Sequence, residues 1–334
     1  MKPQTATIRL NKAQQFLLRA GALLGAAAIL LHAHSAYAED KIKIGYWPIA
    51  GGLPFFVALE KGYFKEAGLD VEGVKFAAPP QIVEAMIAGR IQGSANGTAS
   101  AALAVGDIAS PGFAHIFASN PSNHHYVLDE FLVAANSPFK TIADLKGKKV
   151  ASGPGIQNVT LAKAVLEKNG IENPQVIELP VGQHVAALAA GQIDAVYTLE
   201  PTGTIGRMSK MTRVLETGVI AKYVLGKADA PWFGGSASLT TVFINQSPEA
   251  AKKLIAAYGK GIDFVRKHPD EARQYLNGYT SIDKTLASEV PIPGYKMYNE
   301  FTPSDIEYFQ KFFDLFFDRK IFTRQVLVPS MLYK

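Results

Sequence analysis

The 334-residue chain contains no cysteine. Its absence excludes disulfides, thiolate metal sites, a cysteine nucleophile and an acylated N-terminal cysteine. No Gly-x-Ser-x-Gly elbow and no His-Glu-x-x-His is present either, so two common hydrolase signatures are missing. Basic residues are not clustered with interleaved aromatics, which argues against nucleic acid as a partner. Past Glu39 no apolar run approaches the roughly 20 residues that span a bilayer as a helix. Net charge is scarce as well. The whole chain carries 34 Lys+Arg against 29 Asp+Glu, a formal +5. Residues 1–38 alone hold Lys2, Arg9, Lys12 and Arg19 and no acid, so the remainder is nearly neutral. Bulk charge therefore selects no partner.

What is present begins with a secretory pattern. A basic stretch ends at Arg19, an apolar run covers Ala20 to Leu31, and Ala36-Tyr37-Ala38 supplies a small-residue cleavage site. Residues 1–38 are predicted to be a signal peptide cleaved after Ala38, and the mature product to be exported, most simply to a periplasm. A 48% hydrophobic content and this length suffice for one large or two ordinary cores.

Strand-like and helix-like segments then alternate, which predicts α/β architecture with largely parallel sheets. Lys41 to Tyr46 alternates with period two. Pro54 can open a helix running from Phe55 to about Ala67, with Gly68 as a stop. Asp70–Phe76, Phe131–Ala135 and Lys149–Ala151 read as strands. Pro80–Ile87 and Thr160–Lys168 read as helices, and Ser247-Pro248 opens another that runs to about Lys267. A short echo appears twice. Ala85-Met-Ile-Ala-Gly-Arg-Ile-Gln92 and Leu188-Ala-Ala-Gly-Gln-Ile-Asp194 each end a helix at a glycine and enter a short strand. Each strand is predicted to empty into a polar loop, Ser94–Thr98 in one copy and Thr198–Pro201 in the other. Two units built alike suggest two lobes, and ligands of open α/β sheets sit beyond the carboxyl ends of strands.

The stretch Gly51-Gly-Leu-Pro-Phe-Phe-Val-Ala-Leu-Glu-Lys-Gly-Tyr-Phe-Lys-Glu-Ala-Gly-Leu-Asp-Val-Glu72 resembles the N-terminal signature of nitrate/sulfonate/taurine-type substrate-binding proteins of ABC importers. Thr141-Ile-Ala-Asp-Leu-Lys-Gly-Lys-Lys-Val-Ala151 resembles the segment that opens their second lobe. Ala190-Gly-Gln-Ile-Asp-Ala-Val196, followed by Glu200-Pro201, resembles their second helix-to-strand step. The resemblance implies a type II periplasmic binding fold, two α/β lobes joined by two crossovers around a ligand cleft. It places lobe one at 39–130 plus 237–334 and lobe two at 131–236. Gln92 stands where the first-lobe step usually carries Asp, so the first-lobe wall is expected to be tuned differently.

Candidate cleft residues follow from position. Tyr46 and Trp47 lie just past the first strand, where aromatic faces could stack on a ligand or plug the core. Asn96, Gly97 and Thr98 follow the first echo and could present backbone N–H groups and a hydroxyl to an anion, or simply cap a helix. Gly153 to Thr160 lacks the third glycine of a dinucleotide loop and the lysine of a P-loop. It remains a helix N-terminus aimed across the cleft, with Gly155, Gln157 and Asn158 as contacts, and the resemblance also puts this loop in the cleft. His125 and Tyr126 could line it. As a metal pair, His124 and His125 are expected to point apart along a strand without further ligands. Gln183 is a further candidate. Glu200 could meet an amine-like group, lock the lobes or face a transporter. Trp232, ahead of a return strand at Ser238–Phe243, falls at the expected second crossing, where Gly234-Gly235 could supply a hinge. The Phe-rich run Ile306–Phe317 reads as a helix packed on a sheet.

The resulting expectation is a non-enzymatic, monomeric receptor for a small organic anion, an aromatic carboxylate or a sulfonate. It would serve an ABC permease with its cytoplasmic ATPase and need no cofactor or metal. Nitrate or bicarbonate, a thiamine-precursor pyrimidine, and an enzyme on the same two-lobed fold are the alternatives.

Overall fold

The computed structural model of the chain describes residues 41–334; the expected signal segment lies outside them. Two mixed sheets organise the described residues. The first has six strands in the order β11-β4-β10-β3-β1-β2, the second five in the order β7-β6-β8-β5-β9. In the first, β1 (Ile42–Tyr46) runs parallel to β2 (Val71–Lys75) and β3 (Gly93–Ala99). Here β10 (Trp232–Thr240) lies antiparallel between β3 and β4 (Ala114–Ser122), and β11 (Lys296–Met297) closes the edge. In the second, β6 (Val150–Ser152) is parallel to β7 (Val176–Glu178) and β8 (Ala195–Leu199). Its other half is antiparallel, with β5 (Asp129–Ala134) between β8 and β9 (Thr212–Thr217). The largely parallel sheets expected from the alternation are thus mixed, because β5 and β10 are the strands on which the chain arrives from the other sheet.

The chain leaves the first sheet after β4 and re-enters it at β10. All of β10 pairs there, so the return is complete by Trp232, ahead of the expected 237. The two crossing segments are tied to each other. His124 N–H donates to Ala228 O at 3.1 Å, and Asn123 Nδ2 donates to Asp229 O at 3.0 Å. Each sheet with its helices is called a lobe below, the six-stranded one lobe one.

Helices begin and end where backbone chemistry allows. The predicted helix from Phe55 to Ala67 is two pieces, Leu53–Glu60 and Tyr63–Glu66. Gly62 between them has φ +72°, a left-handed conformation that glycine adopts without strain. Helix Pro248–Lys267 matches its expected span. The helix expected from Thr160 starts earlier, at Ile156, directly after Gly155. Helix Pro303–Asp318 buries Phe309, Phe312, Phe313 and Phe316 against the lobe-one core, as its apolar stripe requires.

The sequence echo is also a structural one. Gly89 and Gly191 both adopt left-handed φ, +68° and +67°, and stop their helices alike. Beyond them, Gln92 N–H donates to Lys43 O while Lys43 N–H donates to Gln92 Oε1 at 2.8 Å. In lobe two, Asp194 N–H donates to Lys149 O and Lys149 N–H to Asp194 Oδ2, again at 2.8 Å. Gln92 therefore does the work of Asp194 with an uncharged acceptor. It anchors β1 near its start, not the cleft wall that the departure from the family pattern had suggested.

Candidate functional site between the lobes

The lobes meet along the ends of β1, β3, β6 and β8. Ala50 N–H, in the short turn Ala50–Gly52, donates across to Glu200 O at 2.8 Å. Gln157, in the first turn of helix Ile156–Lys168, reaches into lobe one. Its Oε1 accepts from Ala101 N–H at 2.9 Å, and its Nε2 donates to Gly234 O at 2.8 Å. Pro80 packs on Gly155, and the Trp47 indole edge on Gly153. A cavity of about 100 Å³ remains between the lobes, lined by Pro48 and Ser281 on one side and by Val181, Val185, Pro201 and Ile205 on the other.

The sequence candidates separate on this geometry. Trp47 is at the boundary, but it is 1% exposed and its Nε1 donates to Ala77 O at 3.1 Å. Tyr46 belongs to the lobe-one core, edge-on to Phe56 at 5.3 Å and to Tyr279 at 5.7 Å; burial raises its pKa. Asn96, Gly97 and Thr98 do not form a loop. They lie inside β3, where Thr98 pairs with Ser236. Asn96 is occupied by Tyr258, whose hydroxyl accepts from Asn96 N–H at 2.9 Å and donates to Asn96 Oδ1 at 2.8 Å. Gly97 N–H donates to Asn120 Oδ1, and Gly97 is packed so closely on Gly51 and Gly235 that a Cβ at either neighbour would crowd its backbone. Helix Ser100–Ala109 follows directly, and its first residues, Ser100 and Ala101, are as fully buried as Asn96 and Thr98.

In lobe two, Gly155 has φ +99° and its N–H donates to Glu178 Oε2. Asn158 is buried and donates to Pro154 O, which leaves Gln157 as the residue of this loop that crosses the boundary. Gln183 is exposed in the turn Val181–Gln183, beside the small cavity without lining it. His125 and Tyr126 are exposed on the first crossover, Tyr126 at 54%. The two histidine rings do not point apart as expected for a strand. The segment bends, and the ring centroids lie 3.7 Å apart with the planes tilted by 41°. Glu200 sits at the lip through its carbonyl, yet its carboxylate is engaged within lobe two. Oε2 accepts from Thr204 N–H at 2.9 Å and Oε1 from Arg207 at 3.1 Å. A ligand amine therefore meets no free carboxylate at Glu200. Trp232 is buried at the start of β10 with its ring folded over Gly234 and edge-on to Phe312; its Nε1 has no hydrogen-bond partner.

Known proteins bear on this arrangement. A family model described as NMT1/THI5 like matches residues 51–272. The chain belongs to that family. Among curated relatives, a Brucella abortus protein named as a binding protein is 28% identical over 231 residues, 68% of this chain and 67% of its own length. A Bacillus subtilis protein named for binding aliphatic sulfonates is 24% identical over 259 residues, 76% of this chain and 74% of its own. Of solved structures, the alkanesulfonate-binding protein of Xanthomonas axonopodis pv. citri, bound to MOPS, superposes with a TM-score of 0.71 at 20% identity. The match covers 89% of this chain and 99% of that one. At that identity the likeness establishes the fold alone, the two-lobed α/β fold of periplasmic binding proteins.

Several polar residues of this NMT1/THI5-like protein escaped the sequence reading. A serine chain runs beneath the boundary: Ser100 Oγ lies 2.8 Å from Ser236 Oγ, which donates to Ser119 Oγ at 3.0 Å, which donates to Gly235 O. In lobe two, Glu130 is fully buried beside Gly203 and meets Arg207 at 3.3 Å. Burial, reinforced by the Glu200 charge, holds the Glu130 pKa well above the usual carboxylate range. Asp129, on the opposite face of β5, accepts from Ile220 N–H at 3.0 Å, and burial pushes its pKa up to about 6. The spacing of Glu200 and Arg207, seven apart across Pro201 and hence two helical turns, was the one available signal for this cluster.

Proposed function

We propose that the protein is the solute-binding receptor of an ABC importer, exported to the periplasm, acting as a monomer and taking a small organic anion between its lobes. The observation that carries this reading is the pairing of two helix starts across the boundary, Ser100–Ala109 and Ile156–Lys168, joined through Gln157 and Ala101 N–H. Backbone N–H groups at helix starts hold anionic groups without a cation, which suits a nearly neutral chain. Closure around the solute would shift a population of open molecules toward the closed form, which then delivers it to a membrane permease driven by an ATPase. A sulfonate is favoured over an aromatic acid. Tyr46 is spent on core packing and Trp47 shows only its edge to lobe two, while the cavity is lined by aliphatic side chains with Thr202 and Ser281 and by no aromatic ring. Relatives named for aliphatic-sulfonate binding support the same choice.

A thermal-shift screen with taurine, longer alkanesulfonates, benzoate, nitrate and pyrimidines tests the reading, since a ligand that binds only the folded state raises the melting temperature by mass action. A rise with alkanesulfonates at stoichiometric, reversible binding is the expected result. A response confined to nitrate or pyrimidines overturns the ligand assignment, and chemical turnover of any bound compound overturns the receptor assignment.

A further inference from the structure

The sheet of lobe two has two ends of different character. Its register sets Val150 beside Val176 and Ala195, Val133 beside Ala195, and Ala134 beside Thr212. Four connections, residues 135–149, 170–175, 190–194 and 208–211, therefore gather at the end remote from the lobe boundary. With Arg213 at the start of β9, they carry Lys140, Lys146, Lys148, Lys149 and Lys210 against Asp144, Glu172 and Asp194. An excess of three positive charges on one tip stands out in a chain that is nearly neutral past residue 38. None of these six cations forms a salt bridge among the described residues. Two of the three acids are turned to backbone instead, Asp144 to Lys140 and Thr141 N–H and Asp194 to Lys149 N–H. The loops are tied into one surface. Arg213 donates to Phe139 O, Lys148 Nζ lies 5.4 Å from the centre of the Phe139 ring, and Ala135 N–H donates to Met211 O at 3.0 Å. Met208 and Met211, 45% and 50% exposed, flank Lys210, whose left-handed φ of +58° turns the chain between them.

We propose that this tip of lobe two is a docking surface for an anionic lipid bilayer. Cations on flexible stems are drawn to headgroup phosphates, and two exposed thioether side chains can enter the headgroup boundary beside them. A folded protein partner would require acids matched to fixed positions. Six unpaired cations spread over separate loops present charge without a fixed pattern, which a fluid bilayer accepts. The surface lies at the far end of lobe two from the boundary, so contact there leaves the boundary uncovered. For the receptor proposed above, it would hold the molecule at the membrane that carries its permease. The docking itself rests neither on that reading nor on which solute is bound.

Co-sedimentation of the purified protein with lipid vesicles tests this, using phosphatidylcholine alone and phosphatidylcholine mixed with phosphatidylglycerol. The unaltered chain should bind the phosphatidylglycerol vesicles preferentially, and less as added salt screens the charge. Lys148→Gln combined with Lys210→Gln should weaken that binding roughly 25-fold at low salt, about fivefold for each lysine. Met208→Ser combined with Met211→Ser should weaken it too, but leave its salt dependence unchanged. Lys253→Gln combined with Lys267→Gln, exposed on helix Pro248–Lys267 of lobe one, should leave it as it was. Residues 1–40 are the same in every variant, so differences between variants report the surface that was changed. Equal binding by the Lys148/Lys210 variant and the unaltered chain, or no preference for phosphatidylglycerol, overturns the proposal. So does a tip whose lysine changes impair binding to the solubilised permease while the unaltered chain ignores vesicles; the partner is then a protein. Solute binding is read separately in the thermal-shift screen, so failure of either reading is told apart from failure of the other.

Discussion

Glu130, in β5, and Glu200, just past the end of the neighbouring strand β8, are two fully buried carboxylates that converge on a single guanidinium. Arg207 meets Glu130 Oε2 at 3.3 Å and Glu200 Oε1 at 3.1 Å, and its Nη2 also donates to Thr204 Oγ1. Burial, and after it the Glu200 charge that one shared cation does not offset, make Glu130 hold its proton to higher pH than an exposed glutamate. Arg207→Ala should therefore destabilise the chain by about 2 kcal/mol at neutral pH, below the ~3–5 kcal/mol of a fully buried pair because the guanidinium is one-third exposed. The loss should shrink toward pH 4, where Glu130 is neutral. Adding Glu130→Gln to the Arg207→Ala variant should restore part of the stability, read as a non-additive double-mutant cycle in urea.

Asp129 gives a second pH dependence with a definite sign. Its folded pKa, about 6, lies above the ordinary 3.8 because the carboxyl is buried and only Oδ2 is met by Ile220 N–H, Oδ1 having no partner. A raised acid contributes stability that is complete below the unfolded pKa and is lost as pH rises through the folded one. Between pH 4 and 6 the protein thus loses up to about 3 kcal/mol on account of this group. Asp129→Asn keeps an acceptor for Ile220 and removes the charge. It should be nearly neutral at pH 4 and more stable than the unaltered chain at pH 7.5, by melting temperature. His184 slopes the other way, since burial lowers its pKa to about 4 between Leu179 O and Thr198 Oγ1. Its stabilisation is present above 6.5 and falls as pH drops toward 4. Both proteins share that slope, so the difference between them isolates Asp129.

Tyr258 and Asn96 supply a prediction about β3, a strand whose composition favours a loop. The Tyr258 hydroxyl serves Asn96 N–H and Asn96 Oδ1 together, and both residues are buried. Tyr258→Phe should cost about 1–3 kcal/mol, the penalty for leaving buried polar groups unmade. Asn96→Ala should recover little of it, because the backbone N–H stays orphaned. Urea unfolding at pH 7 distinguishes these costs.

Legibility in the sequence followed the range of the interactions. Helix Pro248–Lys267, the paired glycine stops and the two-lobed α/β plan rest on local spacing, turn chemistry and family signature, and they were readable. Gly93-Ser-Ala-Asn-Gly-Thr-Ala99 was not. Its composition favours a loop, and it is held as a strand by β1 on one side and β10, more than 130 residues away, on the other. Gln157 was visible as a donor beside the cleft, but its partners at 101 and 234 are fixed only by tertiary folding. Tyr46 and Trp47 were misweighted for a related reason, since aromatics at a strand end serve a core as readily as a ligand, and Phe56 and Tyr279 decide it here.

Gln92 turns one such misreading into an experiment. If its departure from the family pattern tuned the solute wall, Gln92→Asp would alter selectivity. Its amide oxygen instead accepts from Lys43 N–H, near the start of β1, as Asp194 Oδ2 accepts from Lys149 N–H ahead of β6. A carboxylate makes a stronger bond to a backbone N–H than an amide oxygen does. Gln92→Asp should therefore leave the ranking of bound solutes unchanged and alter stability by no more than about 1 kcal/mol. Gln92→Ala and Asp194→Ala should each lower the melting temperature, by similar amounts, because each releases the same backbone N–H in its own lobe. Calorimetric titration with the best solute of the screen, run beside the melting curves, separates the two accounts. A changed solute ranking in Gln92→Asp would return this residue to the cleft wall.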